Sequence, residues 1–168
     1  MKTIEFASPV FFDKKVQDLN TELESLGWIA NQYPICYKGE NEQGTYPEVY
    51  YNDGSSKNLM AMPEGNAMSF FTIEGDIIEI EEFHFSVPLA LTVWADLTKV
   101  YPSKAYDYTG ELIKDVIGVL QANSCNDLKI QTQGVFEDYS FLESKLQQNV
   151  MRPFTAFKIS FECIMTKC

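Results

Sequence analysis

The sequence predicts an α+β fold, a mostly antiparallel sheet packed against two helices. Three observations carry this. From Phe83 to Val93 the odd positions Phe83, Phe85, Val87, Leu89, Leu91 and Val93 are large and apolar. The even positions His84, Ser86, Pro88, Ala90 and Thr92 are not. Period-2 alternation of this length marks a long strand with one buried face. Residues 156–164 alternate in the same way, with Phe157, Ile159, Phe161 and Cys163 against Lys158, Ser160 and Glu162. Two other stretches, 13–26 and 105–121, repeat their apolar residues at helical spacing instead.

The first helix is expected over 13–26. Asp13 serves as its N-cap, because a carboxylate accepts from the free amides of the first turn. Val16, Leu19, Leu23 and Leu26 form one apolar stripe, and Gly27 takes the left-handed conformation that ends a helix. Residues 28–37 read as irregular or as a short strand, with Pro34 opposing helix. Residues 38–46 are Gly-rich and polar and read as a loop. Pro47-Glu48-Val49-Tyr50-Tyr51 reads as a short strand, closed by the turn Asn52-Asp53-Gly54. A second loop follows through 66.

Residues 68–73 and 77–82 read as strands joined by Glu74-Gly75-Asp76, where glycine permits the positive φ of a tight hairpin. The long strand then runs to Trp94. Pro88 lacks an amide hydrogen, so the expectation is a local break there. The second helix is expected over 105–121, with Leu112, Val116, Val119 and Leu120 on one face and Ile113 and Ile117 beside it. A strand over 128–135, an ambiguous stretch over 136–150 and the final strand complete the chain. The organisation is one α+β domain over 1–168, with extended loops near 38–46, 52–66 and 136–151.

Composition narrows the function. Apolar residues make up 45% of 168 residues, enough for a sizeable core. The formal net charge of −11 opposes a protein that grips nucleic acid through a basic patch. The N-terminal residues lack the apolar core of a signal peptide, and no apolar run is long enough to span a membrane. Cys36, Cys125, Cys163 and Cys168 form no Cys-x-x-Cys pair, and reduced thiols are the expectation. With one histidine and no paired cysteines, no zinc site is expected.

Candidate chemistry is sparse. Glu74, Asp76, Glu79, Glu81 and Glu82 lie near His84. On a strand, Glu79 and Glu81 share one face while Glu82 and His84 take the other, which splits any metal site. A solvated strand edge that discourages stray pairing is the better reading. No nucleophile elbow, phosphate loop or dinucleotide fingerprint is present, so no catalytic residue and no cofactor is assigned. Tyr46, Tyr50, Tyr51, Tyr101, Tyr106 and Tyr108 offer a sugar or peptide platform, or a protein interface.

The order of parts resembles the tail-terminator or tail-completion family of tailed bacteriophages, the small ring-forming proteins of the head–tail neck. The resemblance rests on the first helix, then Pro47-Glu48-Val49-Tyr50-Tyr51, then the long strand ending in Val93-Trp94-Ala95-Asp96. A helix with small and aliphatic residues over 110–121 and the alternating strand 157–164 complete it. It implies a non-enzymatic virion protein, assembled in the host cytoplasm as a closed ring of six or twelve copies. Its partners are then other copies of itself and the adjacent portal, adaptor or tail proteins. DNA passes through the channel without specific binding, and no membrane is involved. Loops reach the neighbouring subunits and rings, and the candidate contacts are Tyr50, Tyr51, Asn58, Met60, Met62, Phe141 and Arg152. Terminator, connector and collar ring all remain open. Two rival readings stand beside this one. One is a soluble cytoplasmic α+β module that binds a ligand or peptide near the tyrosines; the other is a hydrolase using the carboxylates near His84.

Overall fold

A computed structural model describes residues 2–3, 8–59, 65–140 and 153–166. The chain runs β1 (Lys2–Thr3), α1 (Phe11–Glu24), β2 (Asn31–Ile35), β3 (Tyr37–Asn41), β4 (Gly44–Tyr50), β5 (Ser56–Asn58) and β6 (Ala67–Ile73). It continues through β7 (Ile78–Glu81), β8 (His84–Asp96), α2 (Leu97–Val100), α3 (Thr109–Ala122), β9 (Asn126–Gln131) and β10 (Phe154–Thr166). The fold is α+β. Seven strands form the main sheet in the order β1-β2-β6-β8-β10-β9, with β7 also paired to β8. Only the β1–β2 and β2–β6 pairs are parallel. Strands β3, β4 and β5 make a second, antiparallel sheet.

The spine is the β8–β10 ladder, paired from Phe154↔Asp96 to Thr166↔His84 without a register shift. Its odd face carries Val87, Leu89, Leu91 and Val93 against Phe157, Ile159, Phe161 and Cys163, all buried. Helices α1 and α3 close this face with Val16, Leu19 and Leu23 and with Leu112, Val116 and Leu120. Both helices bury most of the stripe expected from their spacing; Val119 and Leu26, the latter past the end of α1, are only partly buried.

The even face corrects one expectation. The alternation predicts a strand with one buried face, yet Ala90, Thr92 and Trp94 on the other face are buried too, Trp94 completely. A second core lies over it, built from Tyr33, Met68, Phe70, Trp94 and Ala156 of the main sheet with Cys36, Val49, Leu59, Val135 and Phe136. The Trp94 and Phe136 rings meet at 5.3 Å. The residues 38–46 expected as a loop belong to the β3–β4 hairpin, whose sheet roofs this core. The hairpin is tied to the segment that ends at Ser140, because Thr45 N donates to Ser140 Oγ and Ser140 N to Thr45 Oγ1, each at 2.9 Å.

Prolines sit in three strands, each where its missing donor is not needed. Pro88 does not break β8. Its carbonyl accepts from Glu74 N at 2.9 Å, so its nitrogen points to the same side, one step beyond the end of β6. Pro47 lies inside β4 rather than starting it. Its carbonyl accepts from Leu59 N at 3.1 Å, one step beyond the end of β5. Pro34 occupies the irregularity between Gln32 and Ile35 in the β2–β6 pairing.

Other boundaries differ for local reasons. Helix α1 starts at Phe11 with Val10 at the N-cap and no side-chain cap; Asp13 lies in the first turn. Helix α3 starts at Thr109, not 105, because Tyr108 is buried and pinned. The Tyr108 hydroxyl donates to Leu97 O and accepts from Tyr101 N, which holds 101–108 as a loop around that ring. Within 52–66, β5 adds a short strand. Strand β9 begins at Asn126 and ends at Gln131. The predicted 77–82 strand ends at Glu81, and the long strand begins at His84 rather than Phe83. Gly75 does not supply the positive φ; the β7–β8 turn does, through Phe83 at φ 67°. Part of the ambiguous stretch, 141–152, lies outside the described residues.

Replacing Trp94 tests the second core. Trp94→Ala removes a fully buried ring, and a loss of about 3–5 kcal/mol is expected. Urea denaturation followed by circular dichroism measures it; a loss under about 1 kcal/mol contradicts a packed second face.

Candidate assembly surface

At the far end of the β8–β10 ladder only one face is covered, with Met165 the last residue of the main core. There β7 folds back on β8, with Ile78↔Ser86, Glu79↔Phe85 and Glu81↔His84. One side of this arm is covered, where Phe11 stacks edge-on against Phe85 at 5.6 Å. The other side is bare. Pairing places Ile78, Ser86 and Ile164 in one row across three strands. Ile78 is 59% exposed, Ile164 57% and Phe83, at the tip, 54%. Ile80 and Ile77 are exposed as well. Every residue of β7 is exposed, and its outer edge has no strand beside it among the described residues.

The tip is strained. Phe83 occupies the left-handed region, where a bulky side chain costs about 1–2 kcal/mol and glycine costs little. An exposed aromatic held in a conformation glycine fills more easily is the kind of local misfit that gathers at functional positions.

At one end of the strand order, with β1 at the other, runs β9, exposed along most of its length, with Ile130 46% exposed. The two outer edges differ in charge. Strand β7 and its turn carry Glu79, Glu81 and Glu82, whereas β9 carries Asp127 and Lys129.

Between core and arm lies a polar boundary. Lys158 is 9% exposed and its Nζ lies 2.8 Å from Glu74 Oε1, with Asp138 Oδ2 at 4.0 Å. Thr72 Oγ1 donates to the same Glu74 oxygen at 2.5 Å. Burial raises the Glu74 carboxyl, but the bonds from Lys158 and Thr72 and the lysine charge outweigh it and hold it below the usual range. Shallow clefts open on both sides of this pair, one beside Tyr37 and Tyr139 and the other beside Pro88 and Lys129.

The acidic residues near His84 do not form one site. Glu74 is spent on Lys158, and Glu79, Glu81 and Glu82 are exposed. His84 Nδ1 lies 3.1 Å from Glu82 O. Among the described residues no group of three or more His, Cys, Asp or Glu is placed to hold a metal ion. Nor is any helix there long and apolar enough to cross a membrane.

The tyrosines do not form one platform. Tyr46, Tyr50 and Tyr51 sit on or beside the second sheet. Tyr101, Tyr106 and Tyr108 cluster at the α2–α3 loop with Lys104 over two of the rings. Of the candidate contacts, Tyr50 is exposed at the end of β4, with its ring 6.4 Å from Tyr37 and its hydroxyl 3.3 Å from Glu48 Oε2. Tyr51 packs against the second core, and Asn58 pairs with Glu48 in the β5–β4 ladder. Met60, Met62, Phe141 and Arg152 lie outside the described residues. The arm residues Ile78, Ile80, Phe83 and Ile164 were not among the candidates. The visible signal was Ile77-Ile78-Glu79-Ile80-Glu81, a run rich in isoleucine, but its register shift at 79–81 sets Glu81 opposite His84 on the face that Ile78 shares with Ser86.

Comparison with protein-family models, with curated proteins and with solved structures found no match.

Two outcomes follow from this geometry. A carboxyl held low in the fold stabilises it above the ordinary carboxylate range near pH ~4.3 and loses that effect as pH falls through the depressed value. Stability is therefore expected to drop on acidification below about pH 4.5. Glu74→Gln should cost about 1–3 kcal/mol at pH 7 and flatten that drop; urea midpoints from pH 3 to 7 read both, and an unchanged slope refutes the role of the pair. Separately, Phe83→Gly should raise the melting temperature of the isolated subunit, since the strain at the tip disappears; an unchanged or lower value contradicts it.

Proposed function

We propose that this chain is a structural virion protein of a tailed bacteriophage, a subunit of a homo-oligomeric ring in the head–tail neck around the DNA channel. One observation carries the reading. Among the described residues the main sheet leaves two unlike strand edges uncovered, that of β7, which pairs only with β8, and that of β9 at one end of the strand order. Contact between unlike surfaces repeats from copy to copy and closes into a ring when the rotation allows. The exposed isoleucines supply apolar area to bury, and the two open edges supply unpaired backbone groups. The order of elements, with its long strand running into Trp94-Ala95-Asp96 and then helix, supports the same family. A net charge of −11 suits a channel through which DNA slides without sticking.

In this reading the subunit performs no turnover and holds no cofactor. Its partners are copies of itself, in six or twelve, with portal, adaptor or tail proteins above and below. The ring belongs to the virion and assembles in the host cytoplasm.

Mass photometry and negative-stain imaging of the purified chain test this. Closed rings of uniform copy number are the expected outcome. Ile78→Lys with Ile80→Lys should yield monomers whose circular dichroism matches that of the parent, because both side chains are exposed and leave the cores untouched. A parent that stays monomeric at tens of micromolar, even beside portal complexes, overturns the reading in favour of a small binding module.

A further inference from the structure

We propose that Cys125 and Cys163 are a dithiol pair that hydrogen peroxide converts into a reversible disulfide, fastening the edge strand β9 to β10. Neither cysteine has a partner within four residues in sequence; the fold brings them together. Their sulfurs lie 3.4 Å apart although the residues are 38 positions apart in the chain. Strand pairing accounts for this. Glu162 stands opposite Asn126, so the next antiparallel pair sets Cys163 opposite Cys125. Opposed Cα atoms in such a ladder are about 4.5–5.5 Å apart, within the range a disulfide spans.

Both thiols are buried, Cys125 at 3% and Cys163 at 0% exposure, so peroxide reaches them when the sheet edge opens. Cys125 sits in an irregular corner, between Ser124 and Asp127, both at positive φ, and beside the register shift at 160–162. This corner, at the exposed end of an edge strand, is where the sheet opens most easily. Lys15 Nζ donates to Asn123 O at 2.6 Å, and the Cys125 sulfur lies 3.9 Å from that same oxygen. The ammonium is thus held beside the thiols. The hydrogen bond from Cys125 and the charge of Lys15 together hold the Cys163 thiol below its ordinary range against the opposing effect of burial. The bond it gives to Cys163, with burial, pushes Cys125 up. Cys163 is therefore the attacking sulfur and Cys125 the resolving one.

The chemistry balances in two steps. The Cys163 thiolate attacks one peroxide oxygen, the O–O bond breaks, and hydroxide leaves with the sulfur as sulfenic acid. The Cys125 sulfur then attacks that sulfenic sulfur, the S–O bond breaks, and water leaves with the Cys125 proton. Two thiols lose two electrons, and one peroxide becomes two waters.

The test uses the full chain, treated with hydrogen peroxide or with dithiothreitol, then unfolded, alkylated and digested for mass spectrometry. The expected product is one linked peptide pair joining Cys125 to Cys163, lighter by two hydrogens and reversed by dithiothreitol. Its melting temperature should rise on the order of 10 °C over the reduced chain. Cys125→Ser should leave Cys163 to take up two oxygens as sulfinic acid, whereas Cys163→Ser should leave Cys125 unmodified at the same dose. Free alkylated Cys125 and Cys163 after peroxide, or a bridge to Cys36 or Cys168 instead, overturns the proposal. The parent chain alone decides this, so the result stands even if a serine variant fails to fold. It is also independent of ring formation.

Discussion

Everything else in this fold answers to one ladder. Strands β8 and β10 pair over thirteen residues each, with no bulge between them. At about 3.3 Å per residue that ladder is roughly 43 Å long. Helices α1 and α3, at fourteen residues each, reach only about 21 Å. The helices therefore cover part of one face, and the small β3–β5 sheet covers part of the other. What remains at the far end becomes the arm. The overhang is a matter of length, and what its uncovered side presents is the row Ile78, Ser86 and Ile164, two exposed isoleucines flanking a serine bonded to Glu162.

Much of this was legible in the residues themselves. Alternation along 83–93 and 156–164 located the two central strands, and helical spacing located both helices. The second core was not legible, for a physical reason. Ala90 and Thr92 look too small to be buried, but small side chains are what let a second layer come close. The aromatic mass that fills the space belongs to Phe70, Trp94 and Phe136, which are far apart in sequence. The β3–β4 hairpin was hidden too, because Lys38-Gly39-Glu40-Asn41 and Gly44-Thr45 have the composition of a loop. Pairing with β4 overrides that weak preference. Of the candidate surface, Tyr50 was legible as an exposed aromatic, whereas the arm depends on a turn at Glu82-Phe83 that local composition does not announce. The Cys125–Cys163 proximity depends on a register that includes a bulge, which no spacing rule predicts.

The prolines show how a sheet tolerates a residue without a donor. Both Pro88 and Pro47 keep the carbonyl bond and lie one step past the last paired residue of the neighbouring strand. At those positions the ladder asks for an acceptor only. The strand continues straight through, supported from its other side, where Pro88 faces Glu162 and Pro47 faces Lys38. A proline in an apolar alternating run is thus a marker of where the adjacent strand stops, more than of where its own strand breaks.

The acids of β7 bear on how a free subunit survives before it finds its place. An open strand edge beside exposed isoleucines is a template for fibres. Two such edges approaching one another bring Glu79, Glu81 and Glu82 of one chain against the same three of another. Like charges at strand spacing repel, so a nascent pool of identical chains is held apart at low ionic strength while remaining open to an edge of different charge.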